Sequence, residues 1–135
     1  MTGSWPIDHI AIVADDLDAT IALYTKRLGF RQLYREIVAD QGVEAAGLQA
    51  GESVVELLRA LDENSAIARY RGDAPTKLHH VAYRVENIES TLAELKANGI
   101  RLIDETPRRG AQGKRIAFLH PASTAGVLIE LCEPE

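Results

Sequence analysis

The sequence predicts an α+β domain built from two copies of one βαβββ module. A strand-like apolar run with a histidine inside it occurs twice, and its histidines, His9 and His80, are 71 positions apart. A second strand-like run, with a glutamate inside it, also occurs twice, and Glu56 and Glu130 are 74 positions apart. Such short apolar runs between polar residues are typical of half-buried strands. The order of strands and helices between these landmarks is the same in both halves, which favours an α+β arrangement.

The first module is expected over about residues 7–61. Asp15 and Asp16 can each cap a helix, because an aspartate side-chain oxygen can accept a hydrogen bond from the first helical turn. Gly29 is a stop signal for that helix. The predicted elements are a strand at 7–13, a helix with the apolar stripe Leu17, Ile21, Tyr24 and Leu28, and strands at about 31–38, 43–49 and 53–59.

The second module is expected over about residues 77–133, after a connector at 62–76 with a helical turn near 66–70. Asn87 is the predicted helix cap, and Asn98-Gly99 ends that helix. The predicted elements are a strand at 78–85, a helix with the apolar stripe Ile88, Leu92 and Leu95, and strands near 101–103, 115–120 and 127–132.

Composition narrows the classes of function. A chain of 135 residues suits a single domain, 1–135, whose halves would each be marginal alone. The net charge of −5 gives no reason to expect nucleic acid or an anionic membrane as a partner. No apolar run reaches about 18 residues and no basic leader precedes one, so neither a membrane span nor a signal peptide is predicted. With Cys132 as the single cysteine, no internal disulfide is possible, and a cytoplasmic location is expected.

The repeat also predicts a metal site. If an approximate twofold axis relates the modules, His9 faces His80 and Glu56 faces Glu130, all four on strands. Two imidazoles and two carboxylates suit a divalent ion with open coordination positions. The alternative is a scattered set of polar residues, but an unpaired carboxylate inside an apolar strand would cost several kcal/mol.

Three other side chains compete for roles in this site. Alternation sends His79 to the face opposite His80, so His80 is the predicted ligand. His120 precedes a proline at a strand end and is interpreted as a turn histidine. Cys132 shares a face with Glu130, and a small core or rim residue is its expected role.

Several segments then identify a family resemblance. The most specific is the glycine- and arginine-containing run at 104–121, which is followed by an apolar strand at 126–131. The others are Ile7-Asp8-His9-Ile10-Ala11, Asp40-Gln41-Gly42-Val43, Glu56-Leu57-Leu58 and His79-His80-Val81-Ala82. The sequence resembles the methylmalonyl-CoA epimerases of the vicinal oxygen chelate superfamily over residues 7–133.

The resemblance implies paired modules in a cupped mixed sheet around a divalent ion, an acyl-CoA substrate and a homodimer. It makes His9, His80 and Glu130 metal ligands, with Glu56 where relatives have Gln or Glu. Co²⁺ is the expected ion, with Mn²⁺, Ni²⁺ or Zn²⁺ as alternatives. Some relatives have a proposed catalytic Glu at the position of Ala45, so Glu56 is the candidate to replace it.

The implied reaction is epimerisation of (R)- and (S)-methylmalonyl-CoA through removal of the proton alpha to the thioester. Glu56 and Glu130 are the candidate base and acid. Lys114 and Arg115, within a basic segment that also includes Arg108 and Arg109, are the candidate substrate-binding residues. Two alternatives stay open: a glyoxalase-type isomerase resembling lactoylglutathione lyase, and a non-catalytic small-molecule binding or resistance protein of the same fold.

Overall fold

The computed structural model describes residues 4–135, which form two compact units. One unit comprises residues 9–79, and the other comprises the described residues up to Asp8 together with residues 80–135. Each unit contains four strands with both parallel and antiparallel neighbours and carries helices on them, in the order βαβββ. The predicted α+β class is therefore confirmed. The single-domain prediction and the module bounds 7–61 and 77–133 stay predictions.

In the unit 9–79, four strands lie in the order β2-β3-β4-β1. Strand β1 is parallel to β4, whereas β2 with β3 and β3 with β4 are antiparallel. The strands are β1 (Ile7–Ala14), β2 (Arg31–Val38), β3 (Val43–Ala50) and β4 (Ser53–Ala60), and the α-helices are α1 (Leu17–Ala22) and α2 (Ala66–Arg71).

Of the two predicted capping residues, Asp16 begins helix α1, since its side chain accepts a hydrogen bond from the amide of Ala19 at 3.0 Å. Leu17 and Ile21 pack on the sheet, as predicted. The predicted stripe was wrong at its end, because Leu28 is 57% exposed. The chain widens into a π-helical turn over Leu23–Arg27, which adds a residue to the turn and moves Leu28 off the buried face.

In the other unit, four strands lie in the order β5-β8-β7-β6, with β5 parallel to β8 and the remaining pairs antiparallel. Helix α3 begins at the predicted cap Asn87 and packs its apolar stripe against β7 and β8. No helix within residues 4–135 is long and apolar enough to cross a membrane. The elements are β5 (Thr76–Arg84), α3 (Ile88–Ala97), β6 (Arg108–Arg109), β7 (Arg115–Leu119) and β8 (Ile129–Glu133).

The predicted strand at 101–103 was wrong. Only an isolated bridge joins Leu102 to Leu119 in this segment. The ladder stops there because the carboxylate of Asp104 accepts the amide hydrogen of Phe118 at 2.9 Å, in place of a backbone carbonyl. The edge strand of this sheet forms later, as β6.

Candidate metal and catalytic site

The first His–Glu pair lies within the unit 9–79. Strands β1 and β4 run parallel with Ala11 in register with Glu56. His9 precedes Ala11 by two residues and therefore shares its face of the sheet. Nε2 of His9 lies 3.6 Å from Oε1 of Glu56, and each residue is 5% exposed.

The second pair has the same construction in the other unit. Strands β5 and β8 run parallel with Ala82 in register with Glu130, and His80 precedes Ala82 by two residues. Nε2 of His80 lies 3.5 Å from Oε2 of Glu130, at 3% and 2% exposure. Each unit thus holds one buried imidazole beside one buried carboxylate.

These separations suit ligands of a common ion. A normal N–H···O hydrogen bond spans about 2.7–3.2 Å, shorter than either pair. Two ligand atoms at about 2.1 Å from one tetrahedral ion would be about 3.4 Å apart. The type of donor, the burial and the spacing within each pair therefore fit a divalent metal ion of intermediate hardness.

Each site carboxylate has its second oxygen near a protein donor. The hydroxyl of Tyr34 donates to Oε2 of Glu56 at 2.8 Å. The thiol of Cys132 donates to Oε1 of Glu130 at 3.1 Å. Cys132 is buried, as expected for a core residue, but it also contacts a site carboxylate. The donors differ in kind, since a phenol is a stronger hydrogen-bond donor than a thiol.

The other two histidines lie in different surroundings. The ring of His79 packs edge-on against Tyr70 at a centroid distance of 5.3 Å. Nδ1 of His120 accepts the amide hydrogen of Ala122 at 3.0 Å and caps a short 3-10 turn, as interpreted from the sequence. The ring of His80, by contrast, packs edge-on against Phe118 beside Glu130. The structure thus brings His80, rather than His79, to the second glutamate.

Glu44 lies on the face of its sheet opposite Glu56. In β3 it is in register with Arg59, whereas Gly47 is in register with Glu56. Hydrogen bonds from Arg35 and Arg59 hold the pKa of the Glu44 carboxyl below its usual range. The same contact with Glu44 raises the pKa of Arg35. The small side chain of Ala45, not Glu44, faces the Glu56 side.

The basic segment is divided among separate ion pairs. Nζ of Lys114 lies 3.0 Å from the buried carboxylate of Asp8, which also contacts Arg84 at 3.2 Å. Arg115 pairs with Glu89 of α3 at 3.0 Å. Arg115 lies on the helix-covered face of β7, opposite the face that Phe118 shares with Glu130. Substrate binding by Lys114 and Arg115 stays a prediction.

Sequence reasoning missed the role of Tyr34 as a neighbour of Glu56. The available signal was Gly47, because a glycine inside a strand often marks a close approach of another group. It also missed Asp8 as the partner of Lys114, a contact across 106 positions of sequence.

Comparisons with known proteins agree with this geometry. Residues 8–118 match the family model described as Glyoxalase/Bleomycin resistance protein/Dioxygenase superfamily. The uncharacterized protein YqjC of Bacillus subtilis is 37% identical, over 96% of this chain and 92% of that protein.

Two solved structures add the reaction class. The methylmalonyl-CoA epimerase of Mycobacterium tuberculosis superposes with a TM-score of 0.93 at 36% identity, over 100% of this chain and 93% of that one. A methylmalonyl-CoA epimerase in complex with methylmalonyl-CoA and NH4+ superposes with a TM-score of 0.90 at 35% identity, covering 96% and 94% of the two chains. The family resemblance and the prediction of an epimerase-type isomerase are thereby confirmed.

Proposed function

The chain belongs to the methylmalonyl-CoA epimerase family of the Glyoxalase/Bleomycin resistance protein/Dioxygenase superfamily, and we propose that it interconverts (R)- and (S)-methylmalonyl-CoA. The observation that carries this proposal is the pair of equivalent His–Glu couples, one in each βαβββ unit. Support for an acyl-CoA substrate comes from the related epimerase whose structure contains methylmalonyl-CoA.

The proposal includes one divalent ion held jointly by His9, Glu56, His80 and Glu130. A single couple offers only one nitrogen and one carboxylate, too few ligands for a catalytic site of this type. Both couples are buried, so the cost of removing their carboxylates from water would be offset by ligation. When bound, the ion would supply positive charge that lowers the free energy of the oxyanion formed as the alpha proton leaves.

The proton steps are assigned to the two carboxylates. One glutamate takes the alpha proton and breaks the C–H bond, and the other, protonated, returns a proton to the opposite side of the same carbon. The equivalent placement of Glu56 and Glu130 in the two modules supports one carboxylate on each side of the substrate. Because a tightly ligated carboxylate is a weak base, the glutamate that takes the proton would have to be the less tightly held ligand of a bound ion.

The proposed binding groups for the coenzyme A portion are Lys114 and Arg115. Each already has a carboxylate partner, Asp8 for Lys114 and Glu89 for Arg115, so a phosphate would have to compete with that partner. Lys114→Met and Arg115→Met should each raise KM for methylmalonyl-CoA with little change in kcat. A residue whose variant leaves KM unchanged is not a phosphate-binding group.

A chiral assay tests the proposal against its alternatives. The purified protein, loaded with Co²⁺, is given pure (S)-methylmalonyl-CoA, and formation of the (R) isomer is followed with an enzyme specific for that isomer. Turnover supports epimerisation. Turnover of a glutathione hemithioacetal alone would favour the glyoxalase-type isomerase, and tight ligand binding without turnover of either compound would favour a binding or resistance protein.

Three finer assignments belong to the same proposal. Co²⁺ is the proposed ion, ahead of Mn²⁺, Ni²⁺ and Zn²⁺, and activity after reloading the metal-free protein with each ion tests the order. A homodimer is proposed for the assembly, to be measured by sedimentation equilibrium. The cytoplasm is the proposed location, to be tested by cell fractionation.

A further inference from the structure

Three neighbouring strands place one tyrosine against a site glutamate. Tyr34 of β2 is in register with Gly47 of β3, and Gly47 is in register with Glu56 of β4. The ring of Tyr34 therefore reaches across the middle strand, and its hydroxyl donates to Oε2 of Glu56 at 2.8 Å.

A β-bulge sets this alignment. The register of β2 against β3 shifts between Gln32 and Tyr34, so that Leu33 is the extra residue. Without the bulge, Leu33 would stand opposite Gly47. A bulge commonly redirects a side chain near a functional site, and this one brings the phenol onto the face of Glu56.

Gly47 provides the space that the ring occupies. A Cβ at this position would stand 2.1 Å from Cε2 and 2.4 Å from Cζ of Tyr34. No side chain fits at that distance, so any residue other than glycine would displace the ring and lengthen its contact with Glu56. The bulge, the glycine and the tyrosine thus act on the same hydrogen bond.

The two oxygens of Glu56 consequently have different neighbours. Oε2 accepts from Tyr34, whereas Oε1 lies 3.6 Å from Nε2 of His9. We propose that Tyr34 is a positioning residue that holds Oε2 and presents Oε1 as the single oxygen through which Glu56 binds the ion. This inference rests on the metal site of the proposed function and adds a residue to it. Donors that orient a ligand typically change metal affinity 10- to 100-fold when removed.

Glu130 gives a comparison within the same chain. Its second oxygen accepts from the thiol of Cys132 at 3.1 Å, in place of a phenol. The stronger donor therefore contacts Glu56. On this basis, Glu56 is the more firmly oriented of the two carboxylates.

The test compares Tyr34→Phe with a matched control, Tyr24→Phe. Tyr24 lies in the same unit, but its ring packs edge-on against Phe30 on the helix-covered face. Titration of the metal-free proteins with Co²⁺ alone should give a Kd for Tyr34→Phe that is roughly 10- to 100-fold higher than that of the wild type. The visible absorption of its bound Co²⁺ should also change, because Glu56 can then offer both oxygens. Tyr24→Phe should match the wild type in both measurements.

Gly47→Ala provides a second, independent variant that keeps the hydroxyl but displaces the ring. It should weaken Co²⁺ binding in the same direction as Tyr34→Phe. For the loaded enzymes, kcat should fall with little change in KM for methylmalonyl-CoA.

The outcomes separate the two proposals. A Tyr34→Phe protein with the wild-type Kd and the wild-type Co²⁺ spectrum would overturn the role of Tyr34 and leave the metal site standing. A wild-type protein that binds no Co²⁺ would overturn both. A wild-type protein that binds Co²⁺, with the spectrum altered in Tyr34→Phe, but epimerises nothing would overturn the proposed reaction alone.

Discussion

His80 lies beside Glu130 on a neighbouring parallel strand, with 3.5 Å between Nε2 and Oε2 and both side chains almost fully buried. The other unit repeats this relationship with His9 and Glu56 at 3.6 Å. In both cases the histidine is two residues before an alanine that is in register with the glutamate. The recurrence of one local geometry in two modules is the structural basis of the next two predictions, on His80 and Glu56.

Replacing His80 should greatly weaken metal binding, whereas replacing its neighbour His79 should not. His80→Ala removes a proposed ligand, so the affinity for Co²⁺ should fall by roughly 100-fold or more, and activity should fall with it. His79→Ala is the matched control, because the ring of His79 packs against Tyr70 instead. Metal content after dialysis, measured by mass spectrometry, checks both. Loss of the ion in His79→Ala with retention in His80→Ala would reverse the assignment.

Glu56→Gln should separate metal binding from proton transfer. The amide oxygen can still bind an ion, but the amide cannot serve as a base, so alpha-proton exchange should fall by about 10²- to 10⁴-fold. Glu130→Gln is the companion variant, and stereospecifically labelled substrate shows which carboxylate acts on which side. An exchange rate in Glu56→Gln equal to that of the wild type would remove Glu56 from the proton steps.

The buried carboxylate of Asp8 should contribute to stability. It contacts Lys114 at 3.0 Å and Arg84 at 3.2 Å and is 2% exposed. Asp8→Ala should lower the free energy of unfolding by about 2 kcal/mol, below the usual 3–5 kcal/mol for a broken buried pair, because Lys114 and Arg84 can turn toward water.

Glu105→Ala is the control for that experiment. Glu105 pairs with Lys96, and both side chains are mostly exposed. Its removal should change the free energy of unfolding by less than about 1 kcal/mol. Urea unfolding of the metal-free proteins measures both variants. Equal effects of the two substitutions would refute the importance of the Asp8 contacts.

Glu44 should make stability depend on acid pH. Hydrogen bonds from Arg35 and Arg59 lower the pKa of its carboxyl in the folded protein. A lowered folded-state pKa stabilises the protein above the unfolded-state pKa, and that contribution is lost as the pH falls through the folded-state value. The stability difference between the wild type and Glu44→Gln should therefore be larger at pH 7 than at pH 3. Urea midpoints at the two pH values test this, and a constant difference would contradict it.

The repeat made much of the fold and of the site predictable from sequence. Because equivalent strands carry His9 and His80, and Glu56 and Glu130, the repeat identified the four candidate ligands. The pairing of each histidine with the glutamate of its own unit was not predicted, since it depends on β1 lying parallel to β4 and β5 lying parallel to β8. Tyr34 could not be assigned in this way, since a bulge at Leu33 changes which residue of β2 faces Gly47. Bulges depend on the pairing of the whole strand and leave little trace in local sequence.

Other errors have similar physical causes. The π-helical turn after α1 shifts Leu28 out of the 3.6-residue period on which the helical stripe was predicted. The predicted strand at 101–103 does not form because the carboxylate of Asp104 accepts the amide hydrogen of Phe118, 14 positions away in the sequence. Both the end of the ladder near residue 103 and the pairing of Lys114 with Asp8 depend on contacts between residues far apart in the sequence, which local patterns do not predict.

Exchange of the alpha proton of methylmalonyl-CoA in heavy water, followed by NMR, tests the central claim most directly. The wild-type protein is measured with Co²⁺, and again after the ion has been removed by a chelator and then restored. Rapid exchange that is lost with the ion and recovered on its return is the predicted result. The absence of exchange in the Co²⁺-loaded protein would contradict proton abstraction alpha to the thioester.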